Sequence, residues 1–233
     1  MKKIFIILTI TMLLEVNVVA QEKIDVLINA IYDNNYTLFK EIVDSGIDLE
    51  KRDKSFGFTP LLAATSKQNK EMVLYLLKKG SNVNAKSRSG GTPLKIAARG
   101  NNPEILKIII KNGADLKEWY PIFLAISHNK IKNVEILLDA GVDVNIMDPN
   151  GYTPLSCAAA SCNVEITKLV LKYRPDVNAG VEGRTALYFV RFNKAENGEI
   201  EPRYYKAYEI IEKLLIKAGA KEVDISKIKR REE

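Results

Sequence analysis

The sequence predicts an all-α solenoid built from stacked helix–turn–helix units joined by short β-hairpin-like loops. Three observations carry this expectation. Prolines fall at 60, 93, 121 and 154, at intervals of 33, 28 and 33 residues. Gly80, Gly113 and Gly141 each follow their own proline by 20 residues, and Arg174 takes that place after Pro154. Each of those stretches also carries apolar residues at helical spacing, as in Met72, Val73, Leu76 and Leu77, or Ile105, Ile108, Ile109 and Ile110. Self-similarity at a fixed period of a few tens of residues is the mark of a repeat architecture.

Residues 1–20 come first and differ in kind. "MKKIFIILTITMLLEVNVVA" opens on Lys2 and Lys3, runs apolar from Ile4 to Leu14, and ends on small side chains at Val18 and Ala20. That order predicts a secretory signal peptide cleaved after Ala20, with an uncleaved anchor or an N-terminal helix as the alternative. The apolar run is shorter than the roughly 20 residues a bilayer span requires. The expected location is therefore outside the cytoplasm, periplasmic or secreted, and a composition rich in Lys, Ile and Asn leans towards a bacterium.

Residues 21–55 form a weak first copy, "IDVLINAIYDNNYTLFKEIVDSGIDL", ending at Gly46, which lies 34 residues before Gly80. It lacks Thr-Pro and carries Asp25, Asn29 and Asp33. An array needs a terminal copy with a polar outer face, so this segment predicts an N-terminal cap.

Residues 56–182 hold the clear copies, "FTPLLAATSKQNKEMVLYLLKKGSNVN", "GTPLKIAARGNNPEILKIIIKNGADL", "YPIFLAISHNKIKNVEILLDAGVDVN" and "YTPLSCAAASCNVEITKLVLKYRPDVN". Proline fits the first turn of a helix, where its missing N–H has no intrahelical partner to lose. The Thr before it is a good N-cap. The pairs Ala63-Ala64, Ala97-Ala98 and Ala158-Ala159 let a neighbouring helix approach. The Gly after the second helix supplies a left-handed stop. One such unit cannot bury its own apolar side, so neighbours must stack.

Residues 183–222 form a divergent last copy with Ala186 in the proline place. Gly219 then follows 33 residues later instead of 20, so 13 residues are inserted, and "NKAENGEIEPRYY" (193–205) predicts an exposed loop. Residues 223–233 are a charged tail.

This pattern resembles the ankyrin repeat family. Thr59-Pro60-Leu61, Thr92-Pro93-Leu94 and Thr153-Pro154-Leu155 match the family's opening, and "GSNVNA", "GADL", "GVDVNI" and "RPDVNA" match its ending. The resemblance covers nearly all of residues 22–222. The chain departs from it where the family has His after Thr-Pro-Leu: Leu62, Lys95, Phe123, Ser156 and Tyr188 stand there. The hydrogen bonds of such a His are therefore not expected, and the stack should be less regular. Asn133 also falls where the second helix usually has an apolar residue.

The resemblance implies a non-catalytic protein that binds another protein through its hairpin tips and the exposed side of its first helices. Mapped onto this sequence, that concave surface comprises Phe56, Phe58, Arg88, Lys95, Trp119, Tyr120, Phe123, Met147, Tyr152, Tyr188 and Arg191. Aromatic residues, Met and Arg are the types that interface centres favour. One join breaks the rule. From Gly80 to Pro93 and from Gly141 to Pro154 is 13 residues, but from Gly113 to Pro121 is 8. Five residues of hairpin are missing, and Trp119, the one tryptophan, stands beside the gap. Trp119 is expected to cover the apolar flank thereby left open, with its rim exposed.

The remaining chemistry is sparse. The chain has 233 residues with a net charge of +6, from 35 Lys and Arg against 29 Asp and Glu, and 46 % hydrophobic residues. This is a globular composition with mixed surface charge. No concentrated basic stripe is visible in the sequence, so no nucleic-acid partner is expected. His128 is the sole histidine and lacks an orienting partner in the sequence. No zinc spacing, phosphate-binding glycine loop or complete calcium loop occurs, so no cofactor or metal is implied. Cys157 and Cys162 are expected to pack rather than to pair. Asp148 and Gly151 are expected to serve the turn they sit in. An electrostatic contact with an anionic envelope or host component is the alternative to protein binding, and an enzyme using the 193–205 insertion is a weaker one. A monomer is expected.

Overall fold

The computed structural model describes residues 21–118, 120–196 and 202–222. Among them it is all-helical, with no strand. The chain divides into two compact units, one ending at Asp115 and the other beginning at Leu116. The signal-peptide expectation for residues 1–20 and the expectation for Trp119 lie outside the described residues, as does the charged tail 223–233.

The first unit holds three helix pairs. Residues 21–32 form α1, followed by α2 (Tyr36–Asp44), α3 (Pro60–Ser66), α4 (Lys70–Lys78), α5 (Pro93–Arg99) and α6 (Pro103–Lys111). The second unit holds α7 (Tyr120–Ser127), α8 (Ile131–Asp139), α9 (Pro154–Ala160), α10 (Val164–Lys172), α11 (Ala186–Glu196) and α12 (Pro202–Lys217). The first helix of a central pair is only seven or eight residues long, too short to persist alone in water. Its stability comes from burial: Leu61 to Ala64, Ala97, Ala98, Ala158 and Ala159 are inaccessible to solvent.

The caps are those the sequence specifies. Thr59, Thr92 and Thr153 accept hydrogen bonds from the amides of Leu62, Lys95 and Ser156. Ser156, in the place of the missing His, returns the favour: its Oγ accepts from the Thr153 amide at 2.8 Å and completes a capping box. The second helices open on Asn35, Asn69, Asn102 and Asn163, each accepting from an amide of the first turn. Gly80, Gly113, Gly141 and Gly219 all have positive φ, and Arg174 is held at φ 54° in the same role. A side chain with a Cβ is strained there.

Asparagine side chains tie neighbouring copies together inside each unit. Asn69 Nδ2 donates to Asn34 Oδ1 (2.5 Å), and Asn163 Nδ2 donates to Asn129 Oδ1 (2.8 Å). At the other end of the helices, the fourth residue after each helix-ending position does similar work. Asn84 Oδ1 accepts from the Asp115 amide (2.9 Å) and Asn145 Oδ1 from the Asp176 amide (2.8 Å). Asn178 Oδ1 accepts from the Lys221 amide (2.8 Å), and Glu50 Oε1 accepts from the Asn82 amide (2.8 Å). Lys117 occupies this place in the shortened join, and an ammonium group has no lone pair with which to accept. Along the second helices, Tyr75 donates to Asp44 (2.6 Å) and Tyr173 to Asp139 (2.5 Å). The latter bond, with burial, pushes the Tyr173 phenol up to about 12.

Two expectations are corrected. The insertion is not simply a loop: residues 193–196 extend α11 to eleven residues, and 202–205 open α12, which runs for sixteen. Residues 197–201 lie outside the described set. Good helix formers in "NKAE" and a proline at the N-terminus of α12 favour helix over loop at both ends. Asp25, expected on the open outer face of the cap, is half-buried, and its carboxylate accepts from the Lys54 amide at 3.3 Å. Asn133, which stands where the family usually has an apolar residue, is buried on α8.

Candidate functional site: hairpin tips and the first-helix face

Full-length joins are closed as hairpins by backbone bonds, Asp53 N–H to Phe58 O, Ser87 N–H to Gly91 O and Asp148 N–H to Tyr152 O, each 2.9 Å. A side chain at the base of each then fixes the tip. Asp53, itself buried, accepts from the amides of Ser55, Phe56 and Phe58. Ser87 Oγ accepts from Gly91 N–H (2.9 Å), and Asp148 accepts from Asn150 and Tyr152 N–H (2.9 and 2.7 Å). Rigid tips present their side chains without the ordering cost that a mobile loop carries.

In the first unit the tips carry an aromatic cluster. Phe56 is 61 % exposed, with its ring 6.4 Å from Tyr32 and 5.8 Å from Phe58, measured between centroids. Lys67 Nζ lies 5.8 Å over the Tyr32 ring. The Arg88 stem lies against Gly57, and its Nη1 donates to Lys54 O at 3.0 Å, which joins the second tip to the first. Lys95 donates to Gly90 O (3.2 Å) and is half-buried. The structure thus brings Phe56, Phe58 and Arg88 together.

In the second unit the aromatic residues stack along the first helices. Tyr152 is parallel to Phe189 at 4.5 Å, Phe189 meets Tyr188 edge-on at 5.2 Å, and Tyr188 stacks on Phe192 at 5.6 Å. Val181 covers Gly151 much as Arg88 covers Gly57. Tyr120 and Met147 are exposed and Tyr152 is half-buried.

Three mapped residues are not open. Phe123 and Tyr188 are each only 8 % exposed, because their rings, on the first turns of α7 and α11, turn into the packing between helices. Arg191 is half-buried and engaged: its Nε donates to Glu212 (2.9 Å), its terminal nitrogens reach Glu222, and Lys194 Nζ lies 2.8 Å from the other Glu212 oxygen. Burial pushes the Glu212 carboxyl up, but Lys194 and Arg191 outweigh it and hold it below the usual carboxylate range. Arg191 is therefore a strut of the last pair. Trp119 lies outside the described residues, and the expectation about its cover lies there too.

Among the described residues, no three His, Cys, Asp or Glu side chains are grouped to hold a metal ion. His128 is exposed, with Nδ1 near Leu124 O and Ser127 Oγ. Cys157 and Cys162 are free thiols. Burial and, to a lesser degree, Asp148 push the Cys157 thiol up to about 11, so it stays protonated and unreactive near neutrality. No described helix is long and apolar enough to cross a membrane.

Sequence reading missed one surface feature. Arg203, Lys206, Lys213 and Lys217 share one exposed face of α12. Their spacing was visible, but Glu209 and Glu212 lie between them, so the charges alternate along the chain.

Comparison with known proteins agrees with the geometry. A family model described as ankyrin repeats, in three copies, matches residues 27–118 and 122–200. A fowlpox virus ankyrin repeat protein is 32 % identical over 151 residues, covering 61 % of this chain and 41 % of that protein. An ankyrin repeat protein of Rickettsia bellii is 32 % identical over 126 residues, covering 49 % and 36 %, and dog inversin is 32 % identical over 156 residues, covering 63 % and 14 %. The chain thus spans less than half the length of these curated relatives. The crystal structure of the ankyrin repeat domain of Bcl-3 superposes with a TM-score of 0.72 at 21 % identity, covering 84 % of this chain and 86 % of that one. At that identity the likeness concerns the fold. With the family model matching well over half its length, the chain belongs to the ankyrin repeat family.

Proposed function

We propose that this chain is an exported, non-catalytic scaffold that binds another protein through its hairpin tips and the exposed side of its first helices. Ankyrin repeats generally mediate contacts between proteins. The observation that carries the reading here is Phe56. A large apolar ring that is 61 % exposed, on a tip pinned by three amide bonds to buried Asp53, is held ready for a partner to cover. Tyr32 and Phe58 flank it, Arg88 lies over the adjacent Gly57, and together they supply the residue types on which interface energy concentrates. Tyr120, Met147 and Tyr152 offer accessible contact residues on the second unit.

Two measurements test this. Binding to a partner recovered from the protein's own envelope or medium should weaken at least tenfold on Phe56→Ala and remain unchanged on Leu74→Ala, an exposed position on the second helix α4. Equal loss in both variants, or none in either, contradicts the assigned surface. Export predicts that the protein isolated from its own cells begins at Gln21; an intact Met1 terminus removes that part of the reading.

A further inference from the structure

The exposed faces of the second helices are electrostatically balanced in most of the chain. On α2, Lys40 pairs with Asp44 (3.5 Å); on α6, Lys107 pairs with Glu104 (2.9 Å). On α8, Lys132 pairs with Glu135 (3.2 Å), and on α10, Lys168 pairs with Glu165 (3.1 Å). Each of these helices pairs one of its surface lysines with an acid of its own within one turn.

Helix α12 does not. Its Glu212 turns inward, where one oxygen meets Arg191 (2.9 Å) and the other Lys194 (2.8 Å) of α11. That carboxylate is spent on the packing of the last pair. Lys206, Lys213 and Lys217 remain exposed, and none of the three is joined to an acid among the described residues. With Arg203 they fall at intervals of 3, 7 and 4 residues, a stripe about 80° wide at 100° per residue. It extends for about 21 Å at a rise of 1.5 Å per residue. Arg203 is spread over the neighbouring Tyr204 ring, 4.6 Å from its centroid. Among the described residues, Glu209 is the one acid at the stripe's edge.

The stripe is not purely ionic. Ile210 lies within it, and Tyr205 and Ile216 lie along one side; all three are exposed. The true apolar side of α12, Tyr208, Ile211 and Leu215, is buried against the rest of its unit. Cations interleaved with Ile and Tyr along the free side of one helix match an anionic interface, where amino groups meet phosphates and short apolar groups reach the headgroup boundary.

We propose that the outer face of α12 docks this protein peripherally on an anionic phospholipid surface, through Arg203, Lys206, Lys213 and Lys217 with Ile210 and Ile216 at the headgroup boundary. The contact involves no spanning segment and none of the residues of the tip around Phe56. It therefore stands or falls independently of the protein-binding function.

The test is co-sedimentation of the full chain with vesicles of phosphatidylcholine alone or with about 30 % phosphatidylglycerol, at about 50 and about 500 mM salt, where screening differs strongly. The variant reverses Lys206, Lys213 and Lys217 to Glu. The control reverses Lys107, Lys132 and Lys168 to Glu, the same change in net charge on other helices. Circular dichroism confirms folding of both. The expected result is salt-sensitive binding to the anionic vesicles that weakens at least tenfold in the α12 variant and less than threefold in the control. Background on neutral vesicles should be the same in all three proteins, which accounts for residues 1–20. Equal losses in the two variants, or no preference for anionic over neutral vesicles, overturn the proposal. So does capture by poly-glutamate without capture by vesicles, which would assign the stripe to an acidic protein.

Discussion

The side chain of Arg88 lies across the α-carbon of Gly57, so that a Cβ at position 57 would stand 2.5 Å from Arg88 Cγ. Gly57 also has φ +65°, in the left-handed region. Two independent constraints thus fix glycine at the first hairpin, and both serve to hold Phe56 at its tip. Gly57→Ala should cost about 1–3 kcal/mol, the sum of backbone strain and the clash with Arg88. In an Arg88→Ala background the same substitution should cost less, because only the backbone strain remains. Urea unfolding of the four proteins measures the coupling; an equal cost in both backgrounds would show that the contact does not constrain position 57.

The shortened join suggests a gain rather than a loss. Asn84 and Asn145 accept a bond from a backbone amide of the following copy, while Lys117 cannot accept from the corresponding Asp143. Lys117→Asn restores an acceptor and should stabilise the protein by about 1 kcal/mol, the net worth of one hydrogen bond. A lower midpoint in urea would mean that the register of this join differs from its neighbours by more than the missing hairpin.

Ser81 follows the helix-ending Gly80 and is buried with its hydroxyl unpartnered. The matching residue after Gly113 is Ala114, also buried. Burying a hydroxyl without a partner costs about 1–3 kcal/mol, so Ser81→Ala should be neutral or raise the melting temperature. A clear destabilisation would place an ordered water on that oxygen.

Cys157 provides a pH-dependent readout of packing. Its folded thiol is pushed up to about 11, above the ordinary thiol value of 9.0, chiefly by burial. A group whose folded pKa is raised favours the folded state fully below the unfolded value. That contribution is lost as pH rises from about 9 through about 11. Alkylation of native Cys157 by iodoacetamide at pH 8 should therefore be at least tenfold slower than in urea. In the Cys157→Ser variant the loss of stability between pH 9 and 11 should be smaller. Equal alkylation rates in the two states would show that the thiol is open to solvent.

Much of the fold was legible because its determinants are local. Thr-Pro at a helix start, an Ala pair, and a residue able to adopt positive φ at a helix end each act within one turn, and their recurrence supplies the period. Even Arg174 in a glycine place was readable from its distance to Pro154. The asparagine ties were not, because Asn69 meets Asn34 and Asn163 meets Asn129 across 35 and 34 residues, and only stacking sets that register. The candidate surface was half legible. The family resemblance mapped Phe56 and Met147 to exposed tips, where they are, but whether an aromatic ring on a first helix faces solvent or its neighbour depends on packing, which took Phe123 and Tyr188 inward. The cationic face of α12 was hidden for a related reason: charges alternate in sequence, and only the inward turn of Glu212 towards Arg191 and Lys194 separates them in space.

The central claim, that the tip surface receives a protein partner, is tested most directly by site-specific photocrosslinking in the native cell. A photoreactive phenylalanine analogue at Phe56 should yield a discrete adduct with one partner, and the same analogue at Leu74 on α4 should yield none. Adducts of equal yield at both positions, or an adduct at Leu74 alone, would contradict the account.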